Sequence, residues 1–246
     1  MAREKMSTKT KSENVKSFRA KALRILGLAF KIFLVVSFVW PIYFVVLYKF
    51  VPVYVTPLMV QRFFEGDEKS KWATKTWVSY DEISEQMPRA VISSEDNLFP
   101  KHSGFSFENI KKSIEDHQKG KRLRGGSTIS QQCAKNVFLF HSRSFVRKAY
   151  EAYFTVLIEL IWGKKRIMEV YLNVIETGPG VYGVEAASQK YFNIPASKLD
   201  KNQCALIAAC LPNPRKYLIA KPSNYIKGRQ AKIINLMPKM GKIELE

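Results

Sequence analysis

The longest apolar run in the chain lies near the N-terminus. In residues 26–50, LGLAFKIFLVVSFVWPIYFVVLYKF, the only charged side chains are Lys31 and Lys49, near the two ends. A helix of this length crosses a hydrocarbon layer of about 30 Å. The run is longer than the core of a cleaved signal peptide, and no small-residue cleavage site follows it. The pattern predicts one transmembrane helix over 26–50, which Pro41 kinks without ending.

The apolar residues after this span are interrupted by proline. Residues 51–64, VPVYVTPLMVQRFF, contain Pro52 and Pro57, which exclude a second membrane-spanning helix. The segment lies against the membrane surface or packs as a connector into the following domain, and the pattern is equally consistent with both. Residues 65–80 are polar and predict a loosely structured stretch. We therefore assign 51–80 to a membrane-proximal connector.

From residue 81 onwards the helical period dominates. Several runs start at a serine that can act as an N-cap and end at glycine or proline. The predicted helices cover residues 88–95, 106–118, 127–136, 144–162, 164–175, 182–192, 200–211 and 223–236. The sequence has no alternating strand pattern of useful length. Residues 81–246 therefore predict one mainly α-helical domain with functional loops near 96–105, 120–127 and 176–182.

Charge predicts the orientation of the span and the kind of partner. The residues up to position 31 contain nine Lys or Arg against two Glu, so the tail at 1–25 is expected in the cytoplasm and the domain on the opposite side of the membrane. The rest of the chain keeps 31 basic residues against 19 acidic ones. This excess favours anionic partners, namely lipid head groups, phosphate-bearing substrates or nucleic acid. Outside a membrane, nucleic acid is the least favoured of the three.

The cysteines do not suggest a disulfide or a metal site. Cys204 and Cys210 are six residues apart in a helical run and therefore point about 240° apart around the helix axis. The three histidines show no ligand spacing with the cysteines. We expect no structural disulfide and no zinc.

Residues 125–135, GGSTISQQCAK, combine a glycine pair, a helix start and a lysine. Gly125 and Gly126 allow close backbone approach, and Ser127 can cap the helix. The helix N-terminus offers N–H groups and partial positive charge to an anion, and Lys135 adds a full charge. These features are typical of a phosphate site. The same pattern also occurs at ordinary helix caps, and the sequence leaves both interpretations open.

A first candidate catalytic carboxylate is Glu95, at the end of an apolar helix. Val91 lies one turn before it and Phe99 can shield it, so partial burial would raise its pKa toward the range of a general base. The alternative is a helix-end carboxylate held by a neighbouring Lys or Arg.

A second candidate is Glu151, which shares one helix face with Arg147 and Lys148. Either the three form an ordinary surface ion pair, or Glu151 is held ionised among cations that bind phosphate. Lys112, Lys135 and Arg143 could extend the same positive surface.

Five segments in order resemble the signature blocks of the peptidoglycan glycosyltransferases, glycosyltransferase family 51. They are EDNLFPKHSGF at 95–105, GGSTISQQCAKN at 125–136, RKAYE at 147–151, KKRIMEVYLN at 164–173 and ALIAACLPNP at 205–214. The resemblance covers about residues 80–235 and implies a lysozyme-like α-helical fold. The short chain, with one anchor and no second catalytic domain, resembles the monofunctional members of that family.

The resemblance also implies an activity and a location. The activity is polymerisation of lipid II into glycan strands, with release of undecaprenyl pyrophosphate, on the outer face of the inner membrane. The partners it implies are lipid II, the growing strand, the membrane and proteins of division or elongation, and no nucleic acid. The catalytic domain would lie in the periplasm behind a single-pass anchor.

Roles for single residues follow from the same matching positions. Glu95 corresponds to the general base that deprotonates the acceptor 4-hydroxyl, and Glu151 to a second carboxylate that assists the donor side. Glu151 would do so by organising a divalent cation, Mg²⁺ or Mn²⁺, at the pyrophosphate. The positions expected around the donor phosphates are Lys112, Ser127, Gln132, Lys135, Arg143, Arg147 and Lys148. Cys133 departs from the aliphatic or small residue expected there, and as a small apolar side chain it should not reduce activity.

Three other functions remain to be weighed. A lytic hydrolase on the same kind of fold also uses two carboxylates, but it would not need the cations. A cell-wall scaffold without catalysis would not need the ionisable residues, all of which are present. A basic nucleic-acid binder would require the domain to lie in the cytoplasm.

Overall fold

The computed structural model describes residues 2–65, 74–108, 111, 115, 126–241 and 243–245. The chain divides into two compact units, Met1–Leu47 and Tyr48–Glu246. The predicted helix at 106–118 falls mostly outside the described residues, although positions 107, 108, 111 and 115 are helical.

The N-terminal part of the chain is one long helical path. Helix α1 (Ala2–Leu34) continues through a π-helical turn (Val35–Val39) into α2 (Trp40–Phe50). By length and composition, Phe18–Phe50 could cross a membrane, so the prediction of one N-terminal apolar helix is confirmed. Pro41 does not end the helix, as predicted. The π turn stands just before Pro41, whose missing N–H would leave a carbonyl of the preceding turn without its usual partner.

The second unit is mainly helical. Its longer helices are α3 (Pro57–Phe64), α4 (Gln86–Glu95), α5 (Ile129–Phe138), α6 (Phe145–Ile161), α7 (Lys164–Val174), α8 (Val184–Phe192), α9 (Lys201–Cys210) and α10 (Asn224–Leu236). Short 3-10 turns occupy Tyr80–Glu82, Ala196–Lys198 and Met237–Met240. The predicted helices that fall on described residues are therefore present, with small shifts at their ends.

The helix starts explain most of these boundaries. Ser144 and Ser223 cap α6 and α10 as predicted, accepting backbone N–H bonds of 3.1 Å and 3.4 Å. The prediction that Ser127 caps α5 is wrong, because Thr128 is the cap. Thr128 accepts from the N–H of Gln131 at 3.2 Å, and Gln131 accepts from the N–H of Thr128 at 3.0 Å. This reciprocal box requires a glutamine three positions after the cap, which Ser127 lacks.

Helix α5 lies at the centre of the second unit. It packs against α3, α6 and α7, and Ile129, Cys133 and Ala134 are fully buried. Fully burying an aliphatic side chain such as Ile129 contributes about 1.5–3 kcal/mol, so α5 is firmly held. Helix α4 packs against α9 and α10. The residues of α4 and α5 that face each other form the candidate site described below.

A small three-stranded sheet was not predicted. Its order is β1 (Thr74–Lys75), β3 (Val181–Tyr182), β2 (Glu176–Gly178), with β1 parallel and β2 antiparallel to β3. Strands of two or three residues are too short to show alternation in a sequence. The prediction of a loose stretch at 65–80 is therefore wrong for β1 and for Tyr80, where the 3-10 turn begins. Residues 66–73 lie outside the described part of the chain.

The segment 51–64, which ends in α3, packs on one face. Val53, Leu58 and Met59 are buried, and the last two cluster with Tyr182, which supports the packed-connector interpretation for this face. Phe63 and Phe64 are exposed, so no other described residue buries the face of α3 on which they lie.

All three cysteines are buried free thiols. Burial raises the pKa of Cys204 to about 12 and that of Cys210 to about 11. Cys133 is fully buried in α5, consistent with its expected role as a small apolar side chain.

Candidate active site

Glu95 is a mostly buried carboxylate at the last position of α4. Its side chain is 12% exposed, and each of its two oxygens accepts one hydrogen bond. Gln132 donates to Oε2 at 3.1 Å and Ser94 donates to Oε1 at 3.2 Å. Burial raises the pKa of Glu95, and these two bonds and the charge of Arg229 only partly oppose it. A carboxylate in this state suits a general base, as its position in the sequence suggested.

Gln132 is itself oriented by a buried tyrosine. The hydroxyl of Tyr171, in α7, donates to Gln132 Oε1 at 3.2 Å. The amide nitrogen of Gln132 is therefore the atom that faces Glu95. Burial holds the pKa of Tyr171 well above its usual range, so its hydroxyl stays protonated and remains a donor.

The loop after Glu95 is tied to the start of α5. Asp96 is buried, and its Oδ2 accepts from the N–H of Ile129 at 3.0 Å and bonds His102 Nε2 at 2.9 Å. The N–H of Gly104 donates to His102 Nδ1 at 3.1 Å, so Nε2 carries the proton and donates to Asp96. Thr128 also donates to the carbonyl of Gly104 at 2.6 Å. These bonds fix Glu95 relative to α5.

The start of α5 is not an open phosphate cradle. Asp96 occupies the N–H of Ile129, and Thr128 occupies the N–H of Gln131. These two N–H groups are therefore not open to a phosphate, because a carboxylate and a hydroxyl of the protein already accept from them. Gly125 lies outside the described residues. The ordinary-cap interpretation describes the N–H groups of Ile129 and Gln131, and the phosphate contacts expected of Ser127, Gln132 and Lys135 stay predictions.

Glu151 lies in α6 and is almost completely buried. Its side chain is 3% exposed; Arg147 Nη1 binds Oε2 at 2.5 Å, and Lys148 Nζ binds Oε1. The side chains of Arg147 and Lys148 are 18% and 48% exposed, so the cations sit between the buried carboxylate and solvent. The interpretation as an ordinary surface ion pair is wrong, since Glu151 is inside the protein.

Lys135 interacts electrostatically with both carboxylates. It shares a face of α5 with Gln132, one turn earlier, and burial lowers its pKa. The charges of Glu151 and Glu95 oppose that change, while Arg147 and Lys148 reinforce it. Lys135 is therefore within electrostatic range of all four charged groups. The structure brings six predicted residues into one region: Glu95, Gln132, Lys135, Arg147, Lys148 and Glu151.

Three other predicted residues are not brought into this group. Ser127 is partly exposed before the α5 cap, and Arg143 is exposed in the segment between α5 and α6. The cations bound to Glu151 are Arg147 and Lys148, and Arg143 is not one of them. Lys112 lies outside the described residues.

A cleft of about 250 Å³ opens beside Lys135. Gln132 and Lys135 line it together with Arg62, Glu176 and Arg215. Arg62 Nε lies 3.6 Å from Glu176 Oε2, and burial raises the pKa of Glu176. The cleft therefore joins part of the candidate site to a second group of charged side chains.

Sequence reasoning missed several of these residues. Asp96 and His102 stand inside the 95–105 block, so their place in the pattern was a usable signal. Arg62 and Glu176 come from distant parts of the chain, and no local pattern links them.

The described side chains do not form a metal site. No group of three or more His, Cys, Asp or Glu side chains is placed to hold an ion in residues 18–65, 74–108 and 126–241 or in the other described positions. Both oxygens of Glu151 already accept from cationic side chains. The protein groups of the described residues therefore do not fit a resident divalent cation.

Together, a helical domain, a buried carboxylate with a raised pKa and a second carboxylate held by two cations suit a carbohydrate-active enzyme that uses two carboxylates. The chain belongs to the transglycosylase family, because the sequence model described as Transglycosylase matches residues 62–238. The domain is therefore lysozyme-like and mainly α-helical, and the resemblance indicated by the ordered motifs is confirmed.

Curated relatives agree with this assignment. A biosynthetic peptidoglycan transglycosylase of Bacteroides thetaiotaomicron is 55% identical over 207 residues, covering 81% of this chain and 83% of the relative. One of Caulobacter vibrioides is 50% identical, covering 88% and 91%. One of Escherichia coli is 47% identical, covering 80% and 83%.

Proposed function

We propose that this protein is a peptidoglycan glycosyltransferase that polymerises lipid II into glycan strands for the cell wall. The relatives carry the name of that activity, and they match most of the chain. The observation that carries the proposal is the pairing of a carboxylate base, Glu95, with the cations held by Glu151. A base and a cation cluster are what transfer from a pyrophosphate-linked sugar requires.

Glu95 supplies the base. Its carboxylate accepts the proton of the acceptor 4-hydroxyl as that oxygen bonds to the anomeric carbon of the donor strand. The bond between that carbon and the pyrophosphate oxygen breaks, and its electron pair leaves with undecaprenyl pyrophosphate. The raised pKa of Glu95 makes the carboxylate a stronger proton acceptor than an exposed glutamate.

Lys135, Arg147 and Lys148 stabilise the leaving group. Negative charge grows on the pyrophosphate as the bond breaks, and fixed cations lower the energy of that state. Glu151 acts through its neighbours, because its two oxygens hold Arg147 and Lys148 in place. Gln132 orients Glu95 from the side of α5. Ser127, Arg143 and Lys112 remain predicted contacts to the donor phosphates.

The location and the partners are part of the same proposal. The basic tail supports an N-terminus in the cytoplasm, with the domain in the periplasm on the inner membrane. A substrate with a lipid tail is consistent with an apolar N-terminal helix that can anchor the enzyme. Proteins of division or elongation are further proposed partners. A divalent cation, Mg²⁺ or Mn²⁺, would enter with the pyrophosphate rather than in a site built by the described side chains.

A lipid II assay tests the proposed function. The full chain, purified in detergent, is incubated with fluorescent lipid II, and the products are separated by size. The expected result is a ladder of glycan polymer that still carries the lipid. Shortening of added glycan strands without growth would indicate the lytic alternative. No product from the parent, at a concentration where a known relative polymerises, would favour the scaffold. The control is Glu85→Gln, an exposed carboxylate at the start of α4.

A further inference from the structure

Arg229 connects three helices beside the candidate base. It lies in α10, and its side chain is 29% exposed. Its Nε donates to the carbonyl of Ala209 at 3.3 Å, and its Nη2 donates to Ser94 Oγ at 3.3 Å. Ala209 belongs to the last turn of α9, whose final carbonyls have no partner within the helix. Arg229 therefore satisfies a helix end while it reaches α4.

The contact with Ser94 extends to Glu95. Ser94 Oγ lies 3.2 Å from Glu95 Oε1, and Nη2 of Arg229 lies 4.0 Å from the same carboxylate oxygen. Because Arg229 donates to Ser94, the one hydroxyl hydrogen of Ser94 points toward the opposite side, where it has two acceptors, Glu95 Oε1 at 3.2 Å and the carbonyl of Ala208 at 3.4 Å. The carboxylate oxygen is the nearer of the two and carries the charge, so it is the stronger acceptor. Oε1 is thus held by the pair Arg229 and Ser94, while Oε2 is held by Gln132. Both oxygens of the base have a defined direction.

We propose that Arg229 is a positioning residue for glycosyl transfer, which orients the Glu95 carboxylate through Ser94 and keeps it ionised so that it can accept a proton. The inference rests on the proposed function, in which Glu95 is the base. It adds α10, which none of the sequence motifs includes, to the elements that support catalysis.

The charges around Glu95 determine the sign of the effect. The titratable and polar groups near it, from α4, α5, α7, α10 and the loop after α4, are Ser94, Asp96, Gln132, Lys135, Tyr171 and Arg229. Asp96 and the carbonyl end of α9 disfavour the carboxylate form, and Lys135 favours it. Arg229 lies 4.0 Å from Glu95 and favours its carboxylate form. Arg229 also donates to the carbonyl of Ala209 at the end of α9. Removing Arg229 should therefore raise the pKa of Glu95.

The pH dependence of polymerisation tests this role. The variants are Arg229→Met, which removes the charge and the fork of donors, and Arg229→Lys, which restores the charge. Lys227→Met, an exposed charge of the same helix, is the matched control. We expect Arg229→Met to move the acidic limb of kcat/KM up by about 1 in pH, which is roughly a tenfold loss at pH values below the limb. The loss should shrink as the pH rises. Arg229→Lys should bring the acidic limb most of the way back to its position in the parent, and Lys227→Met should not move the limb.

A second pair of variants separates positioning from folding. Ser94→Ala removes the hydroxyl between Arg229 and Glu95, so Arg229→Met should cost less activity in the Ser94→Ala background than in the parent. Thermal unfolding of each variant is measured in the same buffer. If Arg229→Met lowered the rate by the same factor at every pH and did not move the acidic limb of the profile, the contact between Arg229 and Ser94 would be structural and the inference wrong.

Failure of this inference can be distinguished from failure of the proposed function. If Glu95→Gln polymerised lipid II at the parent rate, Glu95 would not be the base, and both statements would be wrong. If Glu95→Gln were inactive while Arg229→Met kept the parent limb, only the role of Arg229 would be overturned.

Discussion

Replacing Lys135 with methionine removes a positive charge that interacts with both carboxylates while keeping a side chain of similar length. Two unit charges about 4 Å apart interact by about 4 kcal/mol at an effective dielectric constant of about 20. Lys135 is partly buried, which favours such a value, but Arg147 and Lys148 remain, and the Lys148 side chain is 48% exposed to screening water. We therefore expect a loss of about 2–3 kcal/mol of transition-state stabilisation, roughly 30- to 150-fold in kcat.

The assay follows the initial rate of polymer formation from lipid II over a range of substrate concentrations. Because charge grows on the pyrophosphate during bond breaking, kcat should fall more than KM rises. Lys198→Met, an exposed lysine in the Ala196–Lys198 turn, is the control for the general loss of one positive charge. If Lys135→Met kept kcat within threefold of the parent while Glu95→Gln was inactive, Lys135 would not stabilise the leaving group.

Three further predictions concern pH, the second carboxylate and metal. Burial raises the pKa of Glu95 and lowers that of Lys135. The pH profile of kcat/KM should therefore be bell-shaped, with its two limbs closer together than the ordinary pKa values of glutamate and lysine would place them. Limbs at those ordinary pKa values would contradict the burial argument. Glu151→Gln leaves Arg147 and Lys148 without their buried anionic partner. Since Lys148 is half exposed, we expect thermal unfolding to show a loss of about 1–2 kcal/mol of stability, and the polymerisation assay to show a tenfold or larger fall in kcat. An unchanged kcat would remove Glu151 from the mechanism. Chelation by EDTA should slow polymerisation, and added Mg²⁺ or Mn²⁺ should restore the rate. The metal concentration that gives half of the maximal rate should be the same for the parent and for Glu151→Gln. A large difference in that concentration would indicate that Glu151 binds the ion.

Features that depend on a few neighbouring residues could be predicted from the sequence. Ser144 and Ser223 stand directly before apolar-periodic runs, so their helices were placed correctly. Arg147, Lys148 and Glu151 share a helix face by spacing alone, and the structure places them in contact. The burial of Glu151 was not predictable from this spacing, because it depends on how α6 packs against α5.

Features that depend on distant residues could not be predicted. The N–H of Ile129 at the start of α5 donates to Asp96, thirty-three positions earlier, and no local pattern links these two residues. β1 pairs with β3 across more than a hundred residues and is only two residues long. Arg229 reaches Ser94 from the other end of the domain. In each case the partner is brought close only by the packing of several helices.

The central claim is that Glu95 removes the proton of the acceptor hydroxyl during strand growth. The most direct measurement compares lipid II polymerisation by the parent and by Glu95→Gln, a variant that keeps the side-chain shape and can still bond Ser94 and Gln132. A general base contributes about 10²–10⁴-fold, so the rate should fall by that factor while lipid II binding is retained. Polymer formation by Glu95→Gln at the parent rate would contradict the account.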